Sequence, residues 1–578
     1  MRQVFDWLDR RTGFRAGLTV AFDEELKGGA SVAYVFGRAL MILVALQALT
    51  GILLMATYVP AINSAWSSVY YVQYQVTAGW FIRGMHHYGA SAVMVVMCFH
   101  LLQVVIYGAY RQPREVSWWS GLILMQLVMG LGLTGYLLPW DQKAYWASKV
   151  TTSVAGSVPL VGPWIKRLII GGVEYGQLTL SRFYFLHVVL LPVLMVALFA
   201  LHYALFRRHG VTNLSRSANL SEHAEPYVVR QVWLDLAVTF VVVGTVAAFA
   251  IVYRGAPLDA PADPTVDYPP RPEWYFRFLF QMFKLMPGAL EVVATVVIPA
   301  AAGLYLIALP WLDRAPSNRL SLRWPWIAPV VIAAMGVVAL TAHSLYQDAN
   351  DQEYARARRI AATRATRSIA LASKGIPPEG PLAMLERDPL IGGGDLYRTH
   401  CAKCHVLDGE GKREAPDHDG FGSRAWILGM LHHPNSDAYF GKTKIDDMPS
   451  QTKLGEPTLQ AITEFLYAQG QEPGDPPVNR KLLTEGRRLF ESKCMRCHVF
   501  EGDGDFEGLG GPDLTGYASS LWLYRQTVDP EKHYGDLNEM PAFAEDLTPS
   551  EVTNLVRFLR LQRAVSAAKV PQANANAR

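Results

Sequence analysis

Seven stretches of this chain are each apolar over about 20 residues, the length an α-helix needs to cross the hydrocarbon of a bilayer. They lie near residues 38–58, 81–109, 117–138, 182–206, 232–253, 290–311 and 327–346. In lipid, a chain must satisfy every backbone polar group within helices or a closed barrel. The fold class that follows is mostly α, a seven-helix membrane bundle followed by a soluble part. Hydrophobic residues are 51% of the chain and charged ones 18%, which excludes a purely soluble protein. The net charge of +3 singles out no class of partner, and no nucleic acid is expected.

Four histidines stand on two of these stretches, His86 and His100 on the second, His187 and His202 on the fourth. Separations of 14 and 15 residues correspond to roughly 21–22 Å and close to four full turns. Both histidines of a helix therefore share much the same face. Two such helices side by side offer two stacked His–His pairs, suited to two bis-histidine haems. A single membrane histidine can serve helix packing alone, but polar groups in lipid are costly and usually functional. Two matched pairs are hard to reach by packing. Gly37 and Gly51 lie 14 apart on the first stretch, and Gly121 and Gly135 lie 14 apart on the third. Glycine lets a flat ring approach the backbone, and the repeated spacing favours porphyrin clearance over ordinary small-residue packing.

Short-loop arginines orient the bundle. Arg2, Arg10, Arg11 and Arg15 precede the first span, and Arg111, Arg114, Arg207, Arg208, Arg216, Arg230, Arg314, Arg319 and Arg323 fall in alternate loops. The loop from 59 to 80 has neither Lys nor Arg. The N-terminus is thus expected in the cytoplasm, with everything after residue 347 outside. The basic, amphipathic N-terminal segment is too polar for a signal peptide core and is expected to lie on the membrane surface.

The C-terminal part carries Cys401, Cys404 and His405, then Cys494, Cys497 and His498, in two CxxCH strings. CxxCH is the attachment signature of c-type haem, joined on the outer side of bacterial membranes, where the topology also sends it. Two strings in tandem with no further cysteines nearby make zinc a poor reading. Met448 in DDMPS and Met540 in NEMPAF lie 43 and 42 residues beyond the two proximal histidines and are candidate sixth ligands. Such ligation raises haem potential. Met430, His432, His433 and His533 are alternatives. Cys98 reads as a small core residue. The domains read as 1–230 and 231–347 in the membrane, a connector at 348–390 with a helix and a Pro/Gly linker, cytochrome-like units at 391–472 and 473–563, and a disordered tail at 564–578.

The strings RGMHHYGAS, GLTGYLLPWDQKAYWA, LSRFYFLH, PADP and PEWYF are specific, and residues 1–346 resemble cytochrome b of the quinol–cytochrome c oxidoreductases, the bc1 and b6f complexes. The 15-residue gap and PWDQ resemble the b6f branch, with cytochrome b6 and subunit IV joined and a di-haem cytochrome c fused behind. The resemblance implies that His86 and His187 hold the outer haem bL and His100 and His202 the inner haem bH. It places Arg83 near a haem propionate, Glu273 as proton acceptor of the quinol-oxidation site with Tyr275 beside it, and residues 139–168 as the facing wall. Arg207 and Asp235 become candidates for an inner quinone site. Where the b6f branch has a cysteine for an extra covalent haem, this chain has Val35, so no such haem is expected.

The resemblance further implies a quinone cycle with two b haems, two covalent c haems and a quinone/quinol pair, proton-translocating, in a bacterial cytoplasmic membrane with periplasmic cytochrome c domains. No Rieske cluster motif is present, so a separate Rieske protein is the expected first acceptor. Other expected partners are membrane lipid, a downstream cytochrome c or other periplasmic acceptor, and a second copy in a homodimer within a multi-subunit complex. The competing reading is a non-bifurcating electron conduit or anchor for another redox enzyme. The intact PEWY and PWDQ strings argue against it, because a wire needs no outer quinol pocket.

Overall fold

The computed structural model describes residues 2–13, 25–27, 29–210, 212, 224–227, 230–445, 447–505 and 510–569. Two compact units divide the chain, Met1–Leu382 and Ala383–Arg578.

The first unit contains α1 (Arg2–Thr12), α2 (Val35–Met55), α3 (Ala65–Tyr74), α4 (Gly79–Tyr107), α5 (Glu115–Leu137), α6 (Gln142–Gly156), α7 (Gly162–Ile170), α8 (Gln177–His209), α9 (Gln231–Val252), α10 (Arg277–Leu285), α11 (Val293–Leu312), α12 (Leu320–Asn350) and α13 (Gln352–Ala372). Seven of them, α2, α4, α5, α8, α9, α11 and α12, are long and apolar enough to cross a membrane, matching the seven stretches read from hydropathy. Phe240, Val241, Val196 and Leu304 are more than half exposed on their outer surfaces, as lipid-facing residues are. Cys98, expected in the core, is exposed on α4 instead. It neighbours Phe99, also exposed, on a face turned away from the buried Val93 and Val96. Inside, α2 packs on α4, α9 on both, and α5 on α8. A short antiparallel pair, β1 (Glu25–Lys27) and β2 (Ala224–Pro226), sets Leu26 opposite Glu225.

Local sequence explains two details. α4 ends where Gly108 takes a left-handed φ of +66°, a conformation that glycine adopts without strain. In α8 the turn Leu186–Leu190 widens to a π-helix, with Leu191 N–H donating to Leu186 O five residues back. Pro192 follows and has no N–H to give. The widened turn absorbs one residue, so His187 and His202, 15 apart, keep the relation that His86 and His100 reach with 14. π-Turns of this kind cluster at functional sites.

The second unit is built from two repeats. The first holds α14 (residues 389–401), α15 (Arg424–His432) and α16 (Glu456–Gln469). The second holds α17 (Arg480–Lys493), α18 (Ser520–Val528) and α19 (Pro549–Lys569). α19 extends into the stretch expected to be disordered, and residues 570–578 lie outside the described residues. Equivalent residues do equivalent work in the two repeats. Ser423 caps α15 and Ser519 caps α18. The indole of Trp426 donates to Asp417 O at 2.9 Å, and that of Trp522 to Asp513 O at 3.0 Å.

The helices are exchanged between repeats. Gly393 on α14 packs against Asn554 and Phe558 of α19, a Cβ there falling 2.7 Å from Phe558 Cβ. Gly486 on α17 packs in the same manner against Ala461 and Phe465 of α16. Each residue of one contact lies 93 positions from its counterpart in the other. Phe421 and Tyr517, equivalent residues 96 apart, meet with ring centroids 6.0 Å apart. That is the signature of a two-fold, self-complementary contact. One continuous core, including Ile427, Phe465, Phe490, Trp522 and Leu555, runs across the expected boundary between residues 472 and 473.

Candidate functional site

Four of the sequence-selected histidines meet in pairs. His86 of α4 and His187 of α8 face each other with ring centroids 6.2 Å apart. Two imidazoles, each ~1.2 Å from centre to nitrogen and ~2 Å from nitrogen to a shared metal, would stand ~6.4 Å apart. The observed gap therefore fits an iron between them. His100 and His202 line a mostly apolar cavity of about 310 Å³ between α2, α4, α5 and α8, with Arg38, Arg114 and His209 at its edge.

The ring nitrogens show which end of each imidazole is available. Thr50 Oγ1 gives its proton to Leu46 O at 2.7 Å and so accepts from His86 Nδ1 at 3.0 Å. Ser120 Oγ donates to Ser117 O at 2.9 Å and accepts from His202 Nδ1 at 2.9 Å. His187 Nδ1 donates to Leu131 O at 3.1 Å, with Thr134 Oγ1 3.3 Å away. A proton fixed on Nδ1 leaves the Nε2 lone pair for a metal, the arrangement usual for ligating histidine. Among the described residues, His100 Nδ1 has no hydrogen-bond partner. Sequence reasoning found the glycines but missed the hydroxyls beside them. Three of the four glycines follow the anchoring residue directly, as Thr50–Gly51, Ser120–Gly121 and Thr134–Gly135, while Phe36 precedes Gly37. The ring that crowds each glycine is the imidazole itself. A Cβ at Gly51 would lie 3.2 Å from His86 Cε1, at Gly121 3.3 Å from His202 Cε1, and at Gly37 3.5 Å from His100 Cε1. At Gly135 it would lie 2.9 Å from His187 Nδ1 and nearer still to Cε1.

Arg83, proposed from sequence for a propionate, is buried and committed elsewhere. It donates to Gln73 Oε1 at 2.8 Å and to the carbonyls of Ala256 at 2.5 Å and Pro257 at 2.7 Å, tying α4 to the loop after α9. Asp235 is also engaged, accepting from Tyr227 at 2.8 Å, Gln231 at 2.9 Å and Arg38 at 3.1 Å. Arg207 lies at the end of α8, and neither it nor Asp235 lines the cavity. Arg216 lies outside the described residues. Val35 is buried at the start of α2.

At the His86 end of the bundle, Glu273 and Tyr275 border a cleft with Leu133, Tyr136, Ala147 and Thr151. It encloses about 10 Å³, at the lower limit for one water. Lys143 of α6, which lies within the expected facing wall of residues 139–168, is 2.9 Å from Glu273 Oε1. Burial, and then the Glu273 charge, push the Tyr275 phenol well above its ordinary range, so it stands as a neutral hydrogen-bond donor. Asp348 at the end of α12 holds Arg271 at 2.8 Å and Arg277 at 2.6 Å, clamping the segment on either side of Glu273.

In the second unit, His405 Nδ1 donates to Pro416 O at 2.7 Å and His498 Nδ1 to Pro512 O at 3.2 Å, again leaving Nε2 for a metal. Cys401 and Cys494 begin the two attachment strings, and burial pushes both thiols up to about 12. Cys404 and Cys497 follow in the same turns. Met448 and Met540 both pack at the edge of the shared core, as does Met430. Gln526 Nε2 reaches Met540 Sδ at 3.5 Å. His432 pairs with Glu456 at 3.2 Å, and His533 lies against Trp522. His418, also missed from sequence, stacks on His405 with centroids 4.0 Å apart.

Residues 23–210 match the family described as cytochrome b/b6/petB, and residues 261–363 match cytochrome b(C-terminal)/b6/petD. Residues 481–559 match cytochrome C oxidase, cbb3-type, subunit III. The chain is 42% identical over 220 residues to the menaquinol:cytochrome c reductase cytochrome b subunit of Geobacillus thermodenitrificans, covering 37% of this chain and 98% of that protein. It is 39% identical to the corresponding Bacillus subtilis subunit over 37% of this chain and 98% of that one. With cytochrome b6 of a Synechococcus species it shares 36% over 37% of this chain and 99% of that protein. A chain of a hyperthermophilic respiratory Complex III superposes with a TM-score of 0.53 at 25% identity, over 63% of this chain and 96% of that one.

Proposed function

The chain belongs to the cytochrome b/b6 family as a subunit of the quinol:cytochrome c reductases, with a cytochrome c region fused behind, and from that premise we propose that it runs a quinone cycle with menaquinol as its donor. The Glu273 end of the bundle is the outer side. There Glu273 accepts a proton from the quinol hydroxyl, and Tyr275, kept neutral, donates a hydrogen bond to the ring oxygen. One electron passes to a separate Rieske protein and the other crosses the membrane. When bound, haems at the histidine pairs and CxxCH strings take up and release single electrons.

His86 with His187, and His100 with His202, would hold the two b haems between them. The apolar spans around them exclude water from the crossing. At the inner end Arg38, Arg114 and His209 supply positive or proton-bearing groups beside the cavity. Quinone is reduced on that side, with Arg207 and Asp235 near its margin.

The paired repeats of the second unit carry two c haems rather than one. In support, both proximal histidines donate to a proline carbonyl in the same relation. Fusion replaces a separate membrane-anchored cytochrome and holds the acceptor at high effective concentration near the Rieske protein. Downstream, a soluble or membrane-bound periplasmic cytochrome takes the electrons. The whole works as a dimer in a multi-subunit bacterial complex, the N-terminus cytoplasmic and the cytochrome c repeats periplasmic.

The observation that carries this reading is the cleft at Glu273 set against the His86–His187 pair, since a passive conduit has no use for it. The experiment is to mix purified complex with quinol and an inhibitor of the inner site, then add oxidant. Extra reduction of the b haems on adding oxidant is the expected result. If the b haems merely follow the c haems towards equilibrium, the quinone cycle is refuted.

A further inference from the structure

Glu273 is held by a residue to which no motif gives a role. The Lys143 ammonium lies 2.9 Å from Glu273 Oε1 and 5.6 Å from the centre of the Tyr136 ring. The lysine side chain is 42% exposed and the glutamate 16%, so the ammonium stands at the water's edge and the carboxylate inside the wall.

Both backbones are fixed. In the first turn of α6, Asp141 Oδ1 accepts from Ala144 N–H at 2.9 Å, and Gln142 N–H donates to Ala260 O at 2.8 Å. The Gln142 side chain accepts from the Trp146 indole at 2.9 Å and donates to Asp263 O at 3.2 Å. Across the cleft, Phe276 N–H donates to Glu273 O at 2.9 Å, and Asp348 clamps both flanks. Between two pinned segments, the four-carbon stem of the lysine is the part free to turn. The cleft encloses about 10 Å³, so a quinol ring enters only as its wall gives way.

We propose that Lys143 is a positioning residue of the quinol-oxidation site, holding the Glu273 carboxylate at the pocket mouth until it takes up the quinol proton. The inference rests on the reading of Glu273 as proton acceptor. As the quinol gives up a proton, its O–H bond breaks and an O–H bond forms on the Glu273 carboxyl. The electrons leave to the Rieske protein and towards the His86–His187 pair. A neutral carboxyl no longer holds an ammonium, so Lys143 swings to water and opens the way for the proton to follow. A partly exposed ion pair contributes little to folding stability, so removing the charge acts on turnover and leaves assembly intact.

The test uses the whole purified complex with a short-chain quinol, comparing Lys143→Gln, Lys143→Arg, Glu273→Gln and the double variant Lys143→Gln/Glu273→Gln. With Lys143→Gln, kcat falls about tenfold while KM stays within about twofold, because quinol still binds but the carboxylate that takes its proton is no longer presented in one geometry. Lys143→Arg keeps the charge and stays within about threefold of the native rate. The double variant is no slower than Glu273→Gln alone, because residues acting as one unit are not additive. Native turnover in Lys143→Gln, or losses that add in the double variant, overturn the proposal while leaving Glu273 in place. Native turnover in Glu273→Gln instead refutes the outer-site reading, and this inference with it. Loss of b haem in both Lys143→Gln and a second neutral variant, Lys143→Met, would mark Lys143 as structural and also overturn the proposal.

Discussion

Thr50 and His86 share a hydrogen bond of 3.0 Å, in which the threonine accepts because its own proton is spent on Leu46 O. The bond fixes both the tautomer and the plane of the imidazole. Thr50→Val keeps the shape and removes the acceptor. By the usual effect of losing an outer partner of a metal-bound histidine, the haem at that pair is held about tenfold less tightly. Haem retention on dilution, read from the reduced absorbance of the b haems, checks this, with the His100–His202 pair as internal control.

Glycine substitutions separate tight from loose imidazole contacts. Gly135→Ala places a methyl inside the contact distance of His187 and is expected to abolish haem binding at that pair. Gly37→Ala meets His100 at 3.5 Å, an ordinary contact, and is expected to assemble with a native spectrum. Pyridine haemochrome counts of the two purified variants decide it.

The seven spans were legible because lipid leaves a long apolar run few other fates, and the histidine pairs because helical spacing converts directly into a shared face. The π-turn at His187 was not, although Pro192 is its cause, since nothing in a spacing of 15 says where an extra residue is absorbed. Lys143 and Glu273 are 130 residues apart, and no local rule joins them. Arg83 shows the converse. Its place in the motif suggested a propionate, but its partners are carbonyls of a loop more than 170 residues on, which only the fold brings near. The repeats were legible from CxxCH, yet repetition alone leaves open whose last helix each first helix packs against.

Asp348 accepts from Arg271 and Arg277, and all three side chains are at most 14% exposed. Asp348→Ala leaves two buried cations unpaired, a change that costs about 3–5 kcal/mol where such pairs are broken. Quinol oxidation is expected to fall with a lowered unfolding temperature of the membrane unit. Electron entry into the b haems from the inner side should be unchanged, as seen by reverse reduction with quinol when the outer site is blocked.

Arg323 and Asp313 form a fully buried pair at 2.8 Å, with Tyr110 donating to Asp313 at 2.6 Å. Arg323 also donates to the carbonyls of Val105 and Ile106 at 2.7 and 2.8 Å, closing the open end of α4. Arg323→Met strands the aspartate and is expected to destabilise by about 3–5 kcal/mol, whereas adding Asp313→Leu recovers much of the loss. Thermal unfolding of the two variants in detergent measures the difference.

Cutting the backbone between α16 and α17 tests the helix exchange. With a protease site placed at residues 473–476, cleavage is expected to leave the two halves of the second unit associated and the c-type haem spectrum unchanged. If the fragments part on a sizing column without denaturant, the shared core of Phe465, Phe490 and Leu555 does not hold them.

An exchange of this kind has the form of a swapped dimer whose two chains have been joined end to end, the joint being the short segment between Gln469 and Arg480. During synthesis the opening helix of the first repeat must wait some 150 residues for the partner that covers it. Contacts so distant in sequence form late. The two CxxCH strings, 93 residues apart, are thus both made before the last helix is, and the unit closes around them together. Such an architecture ties the folding of one repeat to that of the other, because each supplies the helix that covers its neighbour.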